Sequence, residues 1–351
     1  MTKSRSYIAT PPGVTIKEQL EDRNMNQKEF AIRMDMSEKH ISHLINGDVQ
    51  LTPVVAYRLE TVLGLPAKFW NNLEAIYREK LIRVEAENSL DTDKELAKNF
   101  PYKEMSDNGW LPETRKIEER VINLRKFFEV VQLTKLKTTA LIPSVACRRL
   151  SITEKADFAL IAWVQKAKLE ARHVQTSTID IKGLENSLET IRSMTFNTQA
   201  NFSNRLRELL AEHGIALIFL PHIKGSFLHG ATFYDKNKIV IGITFRGKDA
   251  DKFWFSLLHE IGHIILGHLN QTKSIDEYAE KEADQFAKNI LIPQNAFDTF
   301  VKQNSFSKES IINFSKKIEI GPGIVVGRLQ KENYIDFSQY NELKTKFELT
   351  I

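Results

Sequence analysis

Cysteine is nearly missing from this sequence: Cys147 is the only one in 351 residues. An internal disulfide and an all-cysteine zinc ribbon are therefore excluded, and a reducing, cytoplasmic setting is expected. Long apolar runs are missing too, since none approaches the ~18 residues that read as a membrane-spanning helix. The opening Met1-Thr2-Lys3-Ser4-Arg5-Ser6-Tyr7 lacks the apolar stretch of a secretory signal. Gly (15) and Pro (10) are too scarce for a fibrous or disordered chain. An excess of one charge is also lacking. The net +4 allows a polyanion partner without demanding one. What is present, 42% apolar and 27% charged residues, describes an ordinary folded protein. At about 150 residues per domain it has room for two or three. No internal repeat or low-complexity tract interrupts it.

Three textures follow one another, and they predict a division into residues 1–82, 83–200 and 201–351. The first is compact and helical. The second carries longer charged helices, as at 117–130 and 155–172, broken by Phe100-Pro101, Leu111-Pro112 and Ile142-Pro143. The third has an amphipathic helix bearing Phe202, Leu206, Leu209 and Leu210, then the apolar run Ile215–Leu220. Strand patterns at 231–234 and 238–245 flank Asp235-Lys236-Asn237, a hairpin turn candidate. Helical periodicity returns from Lys252, and the tail reads as two short helices around Gly321-Pro322-Gly323. The fold class expected is mostly α with a small β-sheet (α+β). Its parts are an N-terminal helix-turn-helix bundle, a helical middle region and an HExxH-bearing C-terminal domain.

The helix-turn-helix lies between Asn26 and Gly47. Asn26 and Ser37 are good N-caps, because each side chain can accept from a free N–H of the first turn. Phe30, Ala31, Met36, Ile41 and Leu44 are spaced to form the wedge between two short helices, and Ala31 is small enough for a close crossing. Asn46-Gly47 ends the second helix, with Gly free to turn left-handed. Glu38, Lys39, Ser42 and His43 then point outward from the helix that would enter a major groove. Gln27 starts the first helix, placed for a phosphate or base contact. Over residues 1–80 Lys and Arg barely outnumber Asp and Glu, so tight DNA binding needs a homodimer or help from elsewhere in the chain.

Landmarks around this motif fall in a telling order: Pro12-Gly13, Leu20-Glu21, Asn46-Gly47, Leu51-Thr52-Pro53, Ala56-Tyr57-Arg58-Leu59, Leu63-Gly64 and Phe69-Trp70-Asn71-Asn72-Leu73. Through about residues 10–80 the sequence resembles the HigA-type antitoxins of the XRE-like regulators. The resemblance implies operator binding as a dimer, repression of the protein's own operon, and neutralisation of a cognate toxin. Trp70 itself reads best as core filler.

A second motif, His259-Glu260-Ile261-Gly262-His263, follows the apolar run Phe253-Trp254-Phe255-Ser256-Leu257-Leu258. Four residues apart on a helix, the two imidazoles leave one face and can grip one zinc ion. Glu260 is placed to act as general base on a water whose pKa zinc lowers to roughly 7. The flanking residues would bury this helix, and burying two His and a Glu without a partner costs several kcal/mol. A metal removes that cost. His268 comes five residues after His263 rather than the six of a metzincin, so it reads as a second-layer or surface residue. Downstream, Glu280, Ala283, Asp284 and Ala287 form one helical stripe at i, i+3, i+4, i+7. The alanines permit close approach, Asp284 can orient a ligating His, and Glu280 is the expected third ligand, with Glu282 as runner-up.

This region is similar to the ImmA/IrrE family of metallopeptidases. The likeness rests on the HExxH helix, on Glu280-Lys281-Glu282-Ala283, and on Phe286-Ala287 before Leu291-Ile292-Pro293. It extends from Leu206-Arg207-Glu208 through Leu228-His229-Gly230-Ala231-Thr232-Phe233 and Lys252-Phe253-Trp254 to Ile324-Val325-Val326-Gly327-Arg328-Leu329-Gln330. The resemblance implies a zinc peptidase fold acting on transcriptional repressors. An oxyanion-steadying side chain is not singled out; His229, His268 and Tyr278 are candidates. The strand 238–245 is expected either as an edge that pairs with extended substrate or as an ordinary sheet strand.

The middle region carries no motif. Leu124, Phe127, Phe128 and Leu133 form a core stripe. Arg148, Arg149, Lys155, Lys166, Lys168 and Arg172 read as a solvated face before a DNA contact, with Cys147 packed nearby. The function expected is a DNA-binding, antitoxin-like repressor carrying a zinc-dependent endopeptidase that cuts a repressor protein or itself. The alternative is a non-proteolytic antitoxin that binds operator and toxin, its zinc structural or sensory. A third reading is a peptidase for which the N-terminal part is only a targeting module. The intact Glu260, and the absence of an evident fourth ligand, favour catalysis over a closed structural site. No membrane association is expected.

Overall fold

Asn26 and Ser37 do start helices. The computed structural model describes residues 2–4, 6–88, 90–137, 154–196, 202–223, 229–244, 249–270 and 277–346, with 137, 154–156 and 270 by backbone alone. Ile142, Pro143, Cys147, Arg148, Arg149, Leu228, Phe245 and the side chain of Lys155 therefore lie outside the described residues. The chain falls into two compact units, residues 1–95 and 96–351.

In the first unit, strands β1 (Thr2–Lys3) and β2 (Ile8–Ala9) pair antiparallel ahead of α1 (Gly13–Asp22). Then come α2 (Gln27–Arg33), α3 (Glu38–Asn46), α4 (Pro53–Leu63) and α5 (Ala67–Asn88). Asn26 Oδ1 accepts from Glu29 N at 2.8 Å, and Ser37 Oγ accepts from His40 N at 3.2 Å. Asp35 holds φ +52° in the turn between α2 and α3. Arg58 of α4 clamps that turn by donating to Met34 O and Asp35 O at 2.9 and 2.8 Å. Gly13 has no Cβ because one would strike the Ile45 carbonyl of α3. Ile16, Phe30, Ile41, Leu59 and Trp70 fill the core without exposure.

The division between units falls within α6 (Leu90–Ala97). Helices α7 (Tyr102–Asp107), α8 (Ile117–Phe128), α9 (Glu154–Ala171), α10 (Ile181–Asn186), α11 (Leu188–Ser193) and α12 (Phe202–Glu212) lead to the sheet. Its strands are β3 (Ile215–Leu220), β4 (Gly230–Asp235) and β5 (Lys238–Thr244). They lie in the order β3-β5-β4, with β3 parallel and β4 antiparallel to β5. Lys236 at φ +58° and Asn237 close the hairpin, with Asp235 opposite Lys238. Of the two readings of strand 238–245, the edge is thus corrected and the ordinary sheet strand stands. Strand β5 is central, because β3 and β4 take its two sides, and β4 is the outer strand that packs on the HExxH helix.

Both faces of this sheet are covered, which explains why β3 is apolar at every position. Ile215, Leu217, Phe219, Ile239, Ile241 and Ile243 share a core with α12 and α13 (Ala250–Ile265). On the other face α9 packs against β3 and β5, and Gly242 makes room for the Trp163 ring. So α9, part of the stretch expected to be a connector, forms one layer of the second unit. Helices α14 (Glu277–Leu291), α15 (Gln294–Lys302), α16 (Lys308–Lys317) and α17 (Pro322–Lys331) complete it.

Candidate metal centre and nucleic-acid interface

Helix α13 is buried along nearly its whole second half, including His259, Glu260 and His263 at 4%, 2% and 0% exposure. Its near neighbour is α14, whose Ala279, Ala283 and Ala287 are buried. Gly262 permits the approach: a Cβ there would stand 3.0 Å from Phe286 Cδ1 and 3.4 Å from Ala283 Cα. At this crossing the sequence-predicted ligands meet. One ligand atom each from His259, His263 and Glu280 lie within 4.8 Å of one another. The Nε2 atoms of His259 and His263 are 3.1 Å apart. Glu280 Oε2 is 3.3 Å from the first, and Oε1 is 3.5 Å from the second.

Two observations fit this set to a cation. Both Glu280 oxygens are buried and make no hydrogen bond, and two ring nitrogens are aimed at each other and at that carboxylate. A divalent ion among them would give every one of these atoms a partner. Nitrogen and oxygen donors at three corners match an open site with room for a further ligand.

Around the three lie groups of differing sequence visibility. Asp284 Oδ1 sits 2.9 Å from His259 Nδ1, the ring atom turned away from the cluster. Glu282 does not join the three; its Oε2 is 3.3 Å from His268 Nε2. His268 is buried, its Nδ1 2.9 Å from His263 Nδ1. Burial and the neighbouring His263 hold His268 below the usual histidine range. Of the oxyanion candidates, Tyr278 is 68% exposed, and His229 lies just before β4, its carbonyl accepting from Thr244 N.

The carboxyl of Glu260 is held from β4, which sequence spacing did not reveal. Thr232 Oγ1 donates to Glu260 Oε2 at 2.5 Å. Gly230, two residues away and so on the same strand face, leaves space for the other oxygen, since a Cβ there would come 2.5 Å from Oε1. Burial pushes Glu260 up to about 7, while His259 and the Thr232 hydroxyl pull the other way. For His259 burial works against the charge, but Asp284 and Glu280 outweigh it and raise the ring to about 9. Burial would raise Glu280 as well; the two imidazoles beside it instead bring it to about 2.

In the first unit Gln27, Glu38 and Lys39 are exposed, whereas Ser42 and His43 are half-buried along α3. His43 Nδ1 lies 3.1 Å from Asp48 Oδ2. Trp70 is fully buried edge-on to Phe69, as core filler. In the second unit, three of the basic residues singled out in the middle region each face a carboxylate: Lys166 with Glu170, Lys168 with Asp235, and Arg172 with Glu129. That arrangement suits a solvated face better than a phosphate track. Among the described residues no helix is long and apolar enough to cross a membrane.

A capped helix-turn-helix and a buried HExxH helix facing a glutamate-bearing helix define a helix-turn-helix regulator with a peptidase-type domain. Comparison with known proteins agrees. A helix-turn-helix family model matches residues 16–70, and the model of the IrrE N-terminal-like domain, a peptidase family, matches residues 211–330. The chain is similar to the uncharacterized HTH-type transcriptional regulator YddM of Escherichia coli K12, 32% identical over 83 residues, or 24% of this chain and 84% of YddM. It is also similar to the uncharacterized HTH-type transcriptional regulator YbaQ of the same strain, 32% identical over 98 residues, covering 28% and 83%. A solved addiction module antidote protein of a HigA family from Coxiella burnetii is 22% identical and covers 24% of this chain and 94% of that one, at a TM-score of 0.22. The chain belongs to the DNA-binding helix-turn-helix transcriptional regulators and carries, further along the sequence, an IrrE-type peptidase domain.

Proposed function

We propose that this regulator is an operator-binding repressor whose C-terminal domain is a zinc-dependent endopeptidase cutting a repressor protein or this chain itself. The observation that carries the reading is the convergence of His259, His263 and Glu280 beside a buried Glu260. In it His259, His263 and Glu280 hold the ion, and Asp284 steadies the His259 ring through Nδ1. Zinc, when bound, supplies Lewis acidity that acidifies water and polarises a peptide carbonyl. Glu260 takes the proton as general base, and Thr232 keeps one of its oxygens engaged so that the other faces the reaction. Gln27, Glu38, Lys39, Ser42 and His43 read the operator, with a second copy of the chain completing the site. Operator binding puts the work in the cytoplasm. A toxin partner would come with the HigA-like role.

The decisive experiment is Glu260→Gln in the full chain. Zinc content and melting temperature should stay at wild-type values, while self-cleavage or repressor cleavage, followed by mass spectrometry, should be lost. If the biological output is unchanged by this substitution, the protein acts as a non-proteolytic antitoxin. Separately, Lys39→Ala with His43→Ala should weaken operator binding about tenfold or more in a mobility-shift titration, at unchanged zinc content. Unaltered DNA affinity would show that another surface reads the operator.

A further inference from the structure

His268 breaks the spacing of a third metal ligand, and Glu282 lies off the Glu280 stripe, yet the fold brings the two together behind the metal centre. Gly267, at φ +74°, reverses the chain after α13, and His268 returns to lie against His263. Both imidazoles are buried, at 0% and 3% exposure.

We propose that Glu282 and His268 form a hydrogen-bonded relay that fixes the His263 ring for metal ligation, making both of them positioning residues. The inference rests on the metal-centre reading above. A His263 that ligates through Nε2 carries its proton on Nδ1. The acceptor 2.9 Å away is His268 Nδ1, which must then be unprotonated. The His268 proton consequently sits on Nε2, 3.3 Å from Glu282 Oε2, which accepts it. The order of donors is thereby fixed: His263 Nδ1–H to His268 Nδ1, then His268 Nε2–H to the Glu282 carboxylate. The carboxylate end of this chain makes His263 a better donor to a cation, as Asp284 does directly for His259. Helix α14 therefore serves the site three times: Glu280 as ligand, Asp284 behind one histidine, and Glu282 behind the other through an interposed ring. Glu282, 42% exposed at its side chain, is the solvent end of the relay.

The test is competition for zinc between the full chain and a chromophoric chelator, for wild type and variants. Glu282→Leu is expected to weaken zinc binding ~10-fold, and Glu282→Gln, which retains an acceptor, to recover most of that loss. His268→Leu should cost ~10- to 100-fold, and adding Glu282→Leu to it should cost nothing more, because the relay is already cut. Long-range proton–nitrogen spectra of the zinc-loaded wild type should show His268 protonated on Nε2. Wild-type affinity in Glu282→Leu, losses that multiply in the double variant, or a His268 protonated on Nδ1 would each overturn the relay. If His268→Leu does not fold, the Glu282 pair and the protonation state decide by themselves. A wild-type chain that takes up no zinc overturns the metal-centre reading and the relay together. Tight zinc in wild type with Glu282→Leu unaffected overturns the relay alone.

Discussion

At the scale of single residues, the site's charges are balanced against burial, and the balance has a direction in pH. Glu260 moves from 4.5 to about 7 because burial disfavours its anion. His259 moves from 6.5 to about 9, burial being outweighed by the carboxylates of Asp284 and Glu280. Both groups hold a proton more tightly in the folded metal-free chain than in the unfolded one. Stability from His259 is complete below 6.5 and lost as pH rises through 9; the Glu260 contribution is complete below 4.5 and lost as pH rises through 7. Glu280, lowered to about 2, acts oppositely: its contribution is present above 4.5 and lost as pH falls through 2. The metal-free chain should therefore melt highest near pH 4.5 and progressively lower from there up to pH 9, first through Glu260 and then through His259. With zinc the decline should flatten, because a ligating histidine is neutral and its proton has already left. Thermal melts with and without chelator across this range check both statements. A metal-free melting temperature that rises from pH 6.5 to 9 would contradict them.

Among the secondary-structure elements, the reading helix α3 depends on its two ends. Ser37 satisfies a free N–H at the start, and Gly47 leaves the helix at φ +80°. A Cβ on Gly47 would stand 2.7 Å from Pro11 Cβ and 2.8 Å from the Tyr77 hydroxyl. Gly47→Ala combines left-handed strain with a collision against neighbours on both sides. It should cost about 2 kcal/mol of stability in urea denaturation, with zinc content unchanged. These helix ends were legible in the sequence, because a cap joins residues three or four apart. The clamp of Arg58 on the α2–α3 turn was not, since its two partners lie 23 and 24 residues away. The sheet behaves likewise. The hairpin at Lys236-Asn237 could be read from turn chemistry, but the central place of β5 depends on a parallel pairing with β3 that no local pattern encodes.

For the molecule as a whole, each unit has a core of its own. Ile16, Phe30, Ile41, Leu59 and Trp70 belong to one, and Trp254, Leu257, Ile261 and Val325 to the other. Ligand binding stabilises only the cooperative unit that contains the site, by about 2.7 kcal/mol when free ligand is a hundredfold above Kd. Calorimetry should accordingly resolve two transitions, and zinc removal should lower one of them and leave the other in place. Operator binding should persist in chelator. One shared transition that moves as a whole with zinc would mean that reader and peptidase domain unfold as a single body.

What the sequence by itself determined is whatever depends on neighbours along the chain: the capped helices, the apolar wedge with Ala31, the two histidines on one helical face, and the alanine-lined stripe that carries Glu280. Periodicity and capping act over a few residues, so they survive translation into structure with their chemistry intact. What only the tertiary structure decided is which distant groups share a shell of a few ångströms. Thr232 and Gly230 reach Glu260 because β4 is placed against α13, and Glu282 meets His268 because a left-handed glycine turns the chain back beside α14. Contacts of that kind are set by sheet order, by helix crossing and by the absence of a few Cβ atoms, and these are properties of packing rather than of spacing.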